Sequence, residues 1–330
     1  MTERITIVRI AGDGVGPELV ESGSRVLESL GLPVTWVDAD AGLTAYHRHG
    51  TTAPQETLDA LRTHGLAIKG PFRTPSGGTI RSGNHYIRRG LDLYACLRPL
   101  PIRQDRPPML LVRENTEDLY GAIEWMASPD VAQAVKVASR GGCERIVRYA
   151  FELARRERRA KVTLVHKANN LKLTEGLFLS TAREVAADYP EIEFEDVLSD
   201  TAAALMVREP ERLDVVVTSH TVGDILSSLG AALAGSLGVV GSLDSGPGIH
   251  IAEGCHGDAG DLAGKGTVNP AAFFEGIVLL LDAMNAEREA ARLRTALTRL
   301  RTGGPRAYDL GGGSGTAEIT EFVCAEAAAS

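Results

Sequence analysis

Between Lys69 and Pro99 the chain reads KGPFRTPSGGTIRSGNHYIRRGLDLYACLRP, and Arg81, Arg88, Arg89 and Arg98 make it cationic inside an acidic protein. A guanidinium holds a carboxylate through two parallel hydrogen bonds, so this density of arginine suits a small di- or tricarboxylate. Arginines on a surface are more often solvated than bound to a ligand, so the segment needs support from its surroundings. Glycines suggest a second chemistry. Gly12-Asp13-Gly14-Val15-Gly16 follows a strand-like run and precedes a helical one, as a dinucleotide fingerprint would. Its spacing is wrong, because the third glycine of G-x-G-x-x-G falls on Pro17 and no acidic residue after a second strand completes the pattern. A tight turn with permissive backbone angles is the better reading. Gly311-Gly312-Gly313-Ser314-Gly315 is likewise a turn, since no Lys-Ser or Lys-Thr follows it as a phosphate-binding loop requires.

The frame that must hold these groups reads as α/β. Ile5-Thr6-Ile7-Val8-Arg9-Ile10 is a β-branched run ended by glycines, which suits a buried strand. Pro17 opens a helical pattern with Leu19, Val20, Val26, Leu27 and Leu30 on one side. Further strands are expected at Lys161–His166 and Leu213–Thr218, and long helices at Cys143–Arg158 and Ala272–Leu300. Such alternation predicts a largely parallel sheet. Pro99–Pro108 and Gly235–Gly248 read as two crossings between lobes, so both chain ends build one lobe around an inserted middle lobe.

Composition narrows the partners. The 330 residues suffice for a large α/β domain or two lobes, and 44% hydrophobic with 24% charged residues excludes wholesale disorder. Thirty-five Lys and Arg against 43 Asp and Glu leave −8, which opposes a nucleic-acid polymer as partner. No apolar run is long enough to cross a bilayer, and Met1-Thr2-Glu3-Arg4 lacks the apolar core of a secretion signal. Cys96, Cys143, Cys255 and Cys324 form no C-x-x-C pair and read as free thiols of a cytoplasmic protein.

Two more segments change the odds for the arginines. They are Val112-Arg113-Glu114-Asn115-Thr116-Glu117-Asp118-Leu119-Tyr120-Gly121-Ala122-Ile123-Glu124-Trp125 and Val165-His166-Lys167-Ala168-Asn169-Asn170-Leu171-Lys172. Together with the arginine segment they resemble the isocitrate/isopropylmalate dehydrogenases, the metal-dependent β-decarboxylating family. The likeness runs from Gly12-Asp13-Gly14 to Asp309-Leu310-Gly311-Gly312 and is nearest the isocitrate branch. It implies a two-lobed α/β fold with a mostly parallel sheet that is not a Rossmann fold. It implies that Arg88, Arg98 and Arg113 clamp the two carboxylates of a malate moiety, with Ser82 and Asn84 facing the variable substituent. Tyr120 and Lys167 become the acid–base pair, the lysine reaching into a neighbouring subunit's site with its pKa lowered among cations. The larger lobe would comprise residues 1–93 and 235–330, the smaller 94–234, with a clasp at about 118–139 joining a homodimer whose active sites are shared.

The same resemblance implies a Mg²⁺ or Mn²⁺ ion held by three aspartates. Asp200 and Asp224 match two of them; the third, one helical turn after Asp224, is Ser228 here. His220 stands where the family has asparagine, as a nitrogen ligand, a cation facing substrate or a hydrogen-bonded loop histidine. Ile251–Pro270 resembles the family's nucleotide loop, which places Glu253, His256, Gly257 and Asn269 against the cofactor and Thr74 and Asn169 near the nicotinamide. Asp261 and Leu262 fall where NADP users carry Lys-Tyr. An aspartate there repels a 2′-phosphate and implies NAD. Asp258 and Gly260 depart from the family's small residue and proline.

Around the variable substituent the isocitrate pattern Ser-Leu-Asn-Val-Ala-Leu-Arg becomes Ser82-Gly83-Asn84-His85-Tyr86-Ile87-Arg88, and Arg73 replaces a threonine. Gly83 would open space while His85 and Arg73 add positive charge, which suits a bulkier or more anionic tail such as a phosphonate. Three activities are therefore expected in order. The first is NAD-dependent oxidation and decarboxylation of a malate-type 2-hydroxy acid, isocitrate or a phosphonate-bearing analogue. The second is non-decarboxylating NAD-dependent oxidation of a phosphorylated sugar or nucleotide, favoured by Ser228 and His220. The third is a non-catalytic regulatory subunit, which Tyr120 and Lys167 argue against.

Overall fold

The N-terminal β-branched run forms strand β1 (Ile5–Ile10), with Ile7, Val8 and Ile10 buried. The computed structural model describes residues 4–329; Met1, Thr2 and Glu3, on which the expectation about a secretion signal falls, lie outside them. The chain divides into two compact units, one running up to Leu93 and resuming at Gly235, the other spanning Tyr94–Ala234.

In the first unit α1 (Gly16–Ser29) starts with Pro17 in its first turn and buries Leu19, Val20, Val26 and Leu27. Then come β2 (Val34–Ala39), α2 (Leu43–His49), α3 (Gln55–His64), β3 (Leu66–Lys69) and α4 (Gly83–Gly90). Strand β1 pairs in parallel with both β2 and β3. The glycine turn between β1 and α1 is structural. Gly12 and Gly14 have φ of +72° and +56°, and a Cβ on Gly14 would overlap the Asp258 carbonyl oxygen. Buried Asp13 holds the turn by accepting the backbone N–H groups of Leu43, Thr44 and Arg73, each at 2.8 Å.

The second unit opens on β4 (Ala95–Leu100) and β5 (Met109–Glu114), an antiparallel pair. The Pro-rich stretch expected to cross between lobes is instead the end of β4 and the connection to β5, wholly inside this unit. Prolines suit such a connection because they have no N–H to leave unpaired. Next come a two-stranded ribbon, β6 (Glu124–Ser128) with β7 (Val131–Ala134), and α5 (Arg140–Arg156). β8 (Lys161–His166), α6 (Thr174–Ala186), β9 (Glu193–Leu198), α7 (Ser199–Arg208), β10 (Val215–Thr218) and α8 (His220–Leu233) complete the unit. Its strands lie in the order β4-β5-β10-β8-β9, all pairs parallel except the first.

The first unit resumes with the antiparallel hairpin β11 (Gly241–Gly246) and β12 (Ile249–Gly254), giving the order β2-β1-β3-β12-β11. The helix expected over Ala272–Leu300 is two: α9 (Ala271–Ala283) and α10 (Glu287–Gly303). Asn285 breaks it with a φ of +59°, a left-handed position that asparagine tolerates, and its N–H donates to the Asp282 carbonyl. With α11 (Thr316–Ala329) these helices bury Phe273, Phe274, Leu281, Leu293, Leu297 and Val323 in one core with α1. A Leu or Phe buried this fully contributes about 1.5–3 kcal/mol before entropy is counted. Among the described residues no helix is long and apolar enough to cross a membrane.

Candidate active site

In the second unit the site gathers on the first two turns of α8. Arg113, near the end of β5, and Arg98, on β4, are both buried, and both turn to Asp224. Arg113 Nη1 pairs with Asp224 Oδ1, and Arg98 Nη1 lies 3.5 Å from the same oxygen. Arg98 Nη1 also donates to Ser227 Oγ at 2.6 Å, and Arg113 Nη2 to Asn115 Oδ1 at 3.3 Å. Asp224 is 60% exposed, so two buried guanidiniums converge on a carboxylate that solvent and ligand can reach. Gly223 makes room for this. A Cβ there would come 2.6–2.9 Å from Arg113 Cβ, Cγ and Cδ, so Gly223→Ala must push the arginine aside. We expect that variant to fold but lose about tenfold or more in kcat/KM, measured by steady-state kinetics; wild-type kinetics would show that the position of Arg113 does not matter.

Tyr120 lies in a 3₁₀ turn, Leu119–Gly121, and its ring stacks on His220 at 4.0 Å between centroids and 19° between planes. His220 is thus the buried first residue of α8, packed on the proposed acid, and not a loop histidine. Behind this stack is a charge cluster the sequence did not disclose. Lys136 pairs with Asp118, lies 2.9 Å from Glu175 Oε1, and donates to Ser219 Oγ at 3.5 Å. Asp118 Oδ2 in turn accepts the Thr221 N–H of α8, and Glu175 Oε2 accepts the Lys167 N–H. One ammonium therefore ties together the Tyr120 turn, the start of α8 and the Lys167 turn. Burial pushes the Asp118 carboxyl up, yet Lys136 and the Thr221 N–H outweigh it and hold it below the ordinary range. Burial pulls Lys136 down, and its two carboxylates outweigh that and raise it. Burial beside Glu117 and Glu114 pushes the Cys143 thiol up to about 12, leaving it inert. All four cysteines are free.

Within its own chain the Lys167 ammonium has the carboxylate of Asp200 at 2.7 Å, and both side chains are partly or largely exposed. Its hydrogen bond holds the Asp200 carboxyl below the usual range. Two oxygen donors on α8, Asp224 and exposed Ser228 one turn on, suit a hard divalent ion, but only one of them is a carboxylate, and with Asp200 the expected set of three aspartates is one short. Among the described residues no group of three or more His, Cys, Asp or Glu could hold a metal.

In the first unit Ser82 caps α4, its Oγ accepting the Asn84 N–H at 3.2 Å. Arg88 is buried at the end of α4, where Nε donates to Asp244 at 2.7 Å and Nη2 to Glu253 at 3.1 Å. Glu253 also pairs with buried Lys69 at 2.5 Å. Glu253, expected at the cofactor, is thus part of a buried network with Lys69, Arg88 and Asp244. Two grounds for a bulky substrate tail fall. A Cβ on Gly83 would meet the Thr52 carbonyl at 2.8 Å and the Phe72 ring at 3.1 Å, so this glycine serves close packing and opens no space. Arg73 is bound to Asp258. His85 is buried within α4.

A cavity of about 640 Å³ in the same unit is lined by His256, Gly257, Leu262 and Asn269, all expected at the cofactor, and by Tyr308 and Asp309, which were missed. Its lining is mainly apolar, with the Asp309 carboxylate held by Ser236 and by Asn269 Nδ2 at 3.2 Å. That combination suits an adenosine. Asp261 is exposed beside this loop, Thr74 is exposed in the first unit, and Asn169 is exposed in the turn after β8 of the second.

Parallel α/β units, a carboxylate-seeking arginine pair and a nucleoside-sized cavity define a dehydrogenase of small anionic alcohols. A sequence model of the isocitrate/isopropylmalate dehydrogenases matches residues 6–323. The isocitrate/homoisocitrate dehydrogenase of Thermus thermophilus is 40% identical over 328 residues, 96% of this chain and 97% of that protein. The 3-isopropylmalate dehydrogenase of Archaeoglobus fulgidus is 40% identical over 323 residues, 96% of this chain and 98% of that one. The crystal structure of isocitrate dehydrogenase from Methylococcus capsulatus superposes with a TM-score of 0.93 at 40% identity, over 98% of this chain and 99% of that one. The chain belongs to the isocitrate/isopropylmalate dehydrogenase family. It is a β-decarboxylating hydroxy-acid dehydrogenase of that type.

Proposed function

We propose that this enzyme oxidises and decarboxylates a malate-type 2-hydroxy acid, isocitrate or a near relative, with NAD as hydride acceptor. The convergence of Arg98 and Arg113 on Asp224 carries the reading, because it is a built carboxylate site with an exposed mouth. The substrate's carboxylates exchange for Asp224 at these guanidiniums, with Arg88 as the third cation and Ser82 and Asn84 facing the substituent on C3. Lys167 of a second copy takes the C2 hydroxyl proton as the C2 hydride passes to the nicotinamide. The bond from C3 to its carboxylate then breaks, CO2 leaves, and Tyr120 returns a proton to C3. Asp224 and Ser228, with Asp200 of a second copy, would hold Mg²⁺ or Mn²⁺, whose charge favours the enolate when bound. With one carboxylate fewer than three, the ion is held weakly.

Asp261 sets the preference for NAD by repelling a 2′-phosphate, and the enzyme works as a homodimer in the cytoplasm. The exposed 124–134 ribbon supports the dimer, since Trp125, Met126 and Val131 lie open to solvent on it. A phosphonate tail loses its support with Gly83 and Arg73. Oxidation without decarboxylation of a phosphorylated sugar or nucleotide rests on Ser228 alone. The proposal is tested by adding NAD or NADP, with Mn²⁺ and then with chelator, to a panel of 2-hydroxy acids and phosphorylated alcohols. NAD reduction confined to malate-type acids and lost with chelator is expected. Reduction by a phosphorylated alcohol alone would refute it.

A further inference from the structure

Three departures from the family pattern meet at one point. Arg73 Nη2 lies 2.6 Å from Asp258 Oδ2, and Nε donates to the same oxygen at 2.7 Å. Gly260 completes the arrangement, because a Cβ there would land on Arg73 Nη2. The backbone is fixed on both sides. Arg73 N–H donates to buried Asp13 at 2.8 Å, and the Asp258 carbonyl accepts the Val15 N–H at 2.9 Å. Asp258 itself stands between Gly257 and Ala259, both of which line the nucleoside-sized cavity. Its carboxylate is a negative charge on the loop that must accept an anionic dinucleotide.

We propose that Arg73 is the charge-neutralising residue of this loop: it cancels Asp258 so that the cofactor's diphosphate is not repelled. The inference rests on the reading that residues 256–262 bind NAD. It makes Arg73 a positioning residue and takes it away from the substrate tail. Arg73 is half-exposed and Asp258 partly so, and the loss of such a pair costs folding stability little. An unpaired carboxylate one residue from the cofactor still acts through space, and salt screens that action.

The test is NAD affinity, read by fluorescence titration at low and high salt, for wild type, Arg73→Thr, Asp258→Thr and the double variant. Arg73→Thr weakens NAD about tenfold at low salt, and the gap narrows in high salt. Asp258→Thr alone stays within about threefold of wild type, and the double variant returns to that range. Gly260→Ala, which displaces the guanidinium, reproduces Arg73→Thr, and Asp258→Thr suppresses it too. A double variant as weak as Arg73→Thr would overturn the proposal and make Arg73 a direct ligand. So would an Arg73→Thr that binds NAD like wild type. A wild-type protein with no saturable NAD uptake would instead overturn the cofactor reading on which the proposal stands.

Discussion

Replacing Lys136 with methionine should destabilise the second unit by about 3–5 kcal/mol, the cost of leaving a buried charge without its partner. Asp118 and Glu175 are both buried, and the Lys136 ammonium is their shared counter-charge. A drop of about 4–7 °C in melting temperature is expected for a chain of this size. The pH dependence has a definite sign. With its folded pKa lowered, Asp118 contributes stability above its ordinary value near 4, and that is lost as pH falls through the folded value. Lys136, with its pKa raised, contributes below its ordinary value near 10, and that is lost as pH climbs through the folded value. In the variant the attraction of Lys136 is gone and burial is opposed only by the Thr221 N–H, so Asp118 takes up a proton at higher pH than in wild type. The deficit is therefore largest near neutrality and shrinks toward acid. Denaturant titrations of both proteins from pH 4 to 8 check this, and a deficit that grows toward acid would contradict it. What remains folded should also lose turnover, since Lys136 positions the Tyr120 and Lys167 turns together.

Lys167→Met should lower kcat by about 10²–10⁴ while leaving the melting temperature alone. The ammonium is partly exposed and its partner Asp200 is largely so, hence the fold does not depend on the pair. Placing this lysine in a second copy's site adds a sharper test. Tyr120→Phe is also expected to be nearly inactive, yet mixing it with Lys167→Met allows hybrid dimers. Each hybrid holds one site with both wild-type groups and one with neither. Random reassortment makes half the dimers hybrid, so about a quarter of wild-type activity should return. A mixture as inactive as its parents would show that the two residues serve one site within the same chain.

The strands were legible because buried β-branched runs bounded by turn residues have few other solutions. Lys161–His166 is a strand end to end, and Ile5–Ile10 likewise. Ala272–Leu300 misled because Ala-Met-Asn-Ala carries no strong breaker, and Asn285 ends α9 by a backbone angle that composition does not reveal. The site was legible as residue types but not as partners. Arg88, Arg98 and Arg113 looked like clamps waiting for substrate, whereas each is engaged by carboxylates 111 to 165 positions away. Gly83 and Gly223 show the same limit. A glycine announces freedom, and only the structure shows that the space is filled by a carbonyl or an arginine stem.

The most direct measurement follows NADH by absorbance and released CO2 in the same vessel, with purified enzyme, NAD, Mn²⁺ and isocitrate or the best acid of the panel. One CO2 for each NADH is the predicted result, with Arg113→Gln abolishing both together. NADH formed without CO2, or no reduction with any acid carrying the malate moiety, would contradict oxidative decarboxylation at the Arg98–Arg113 site.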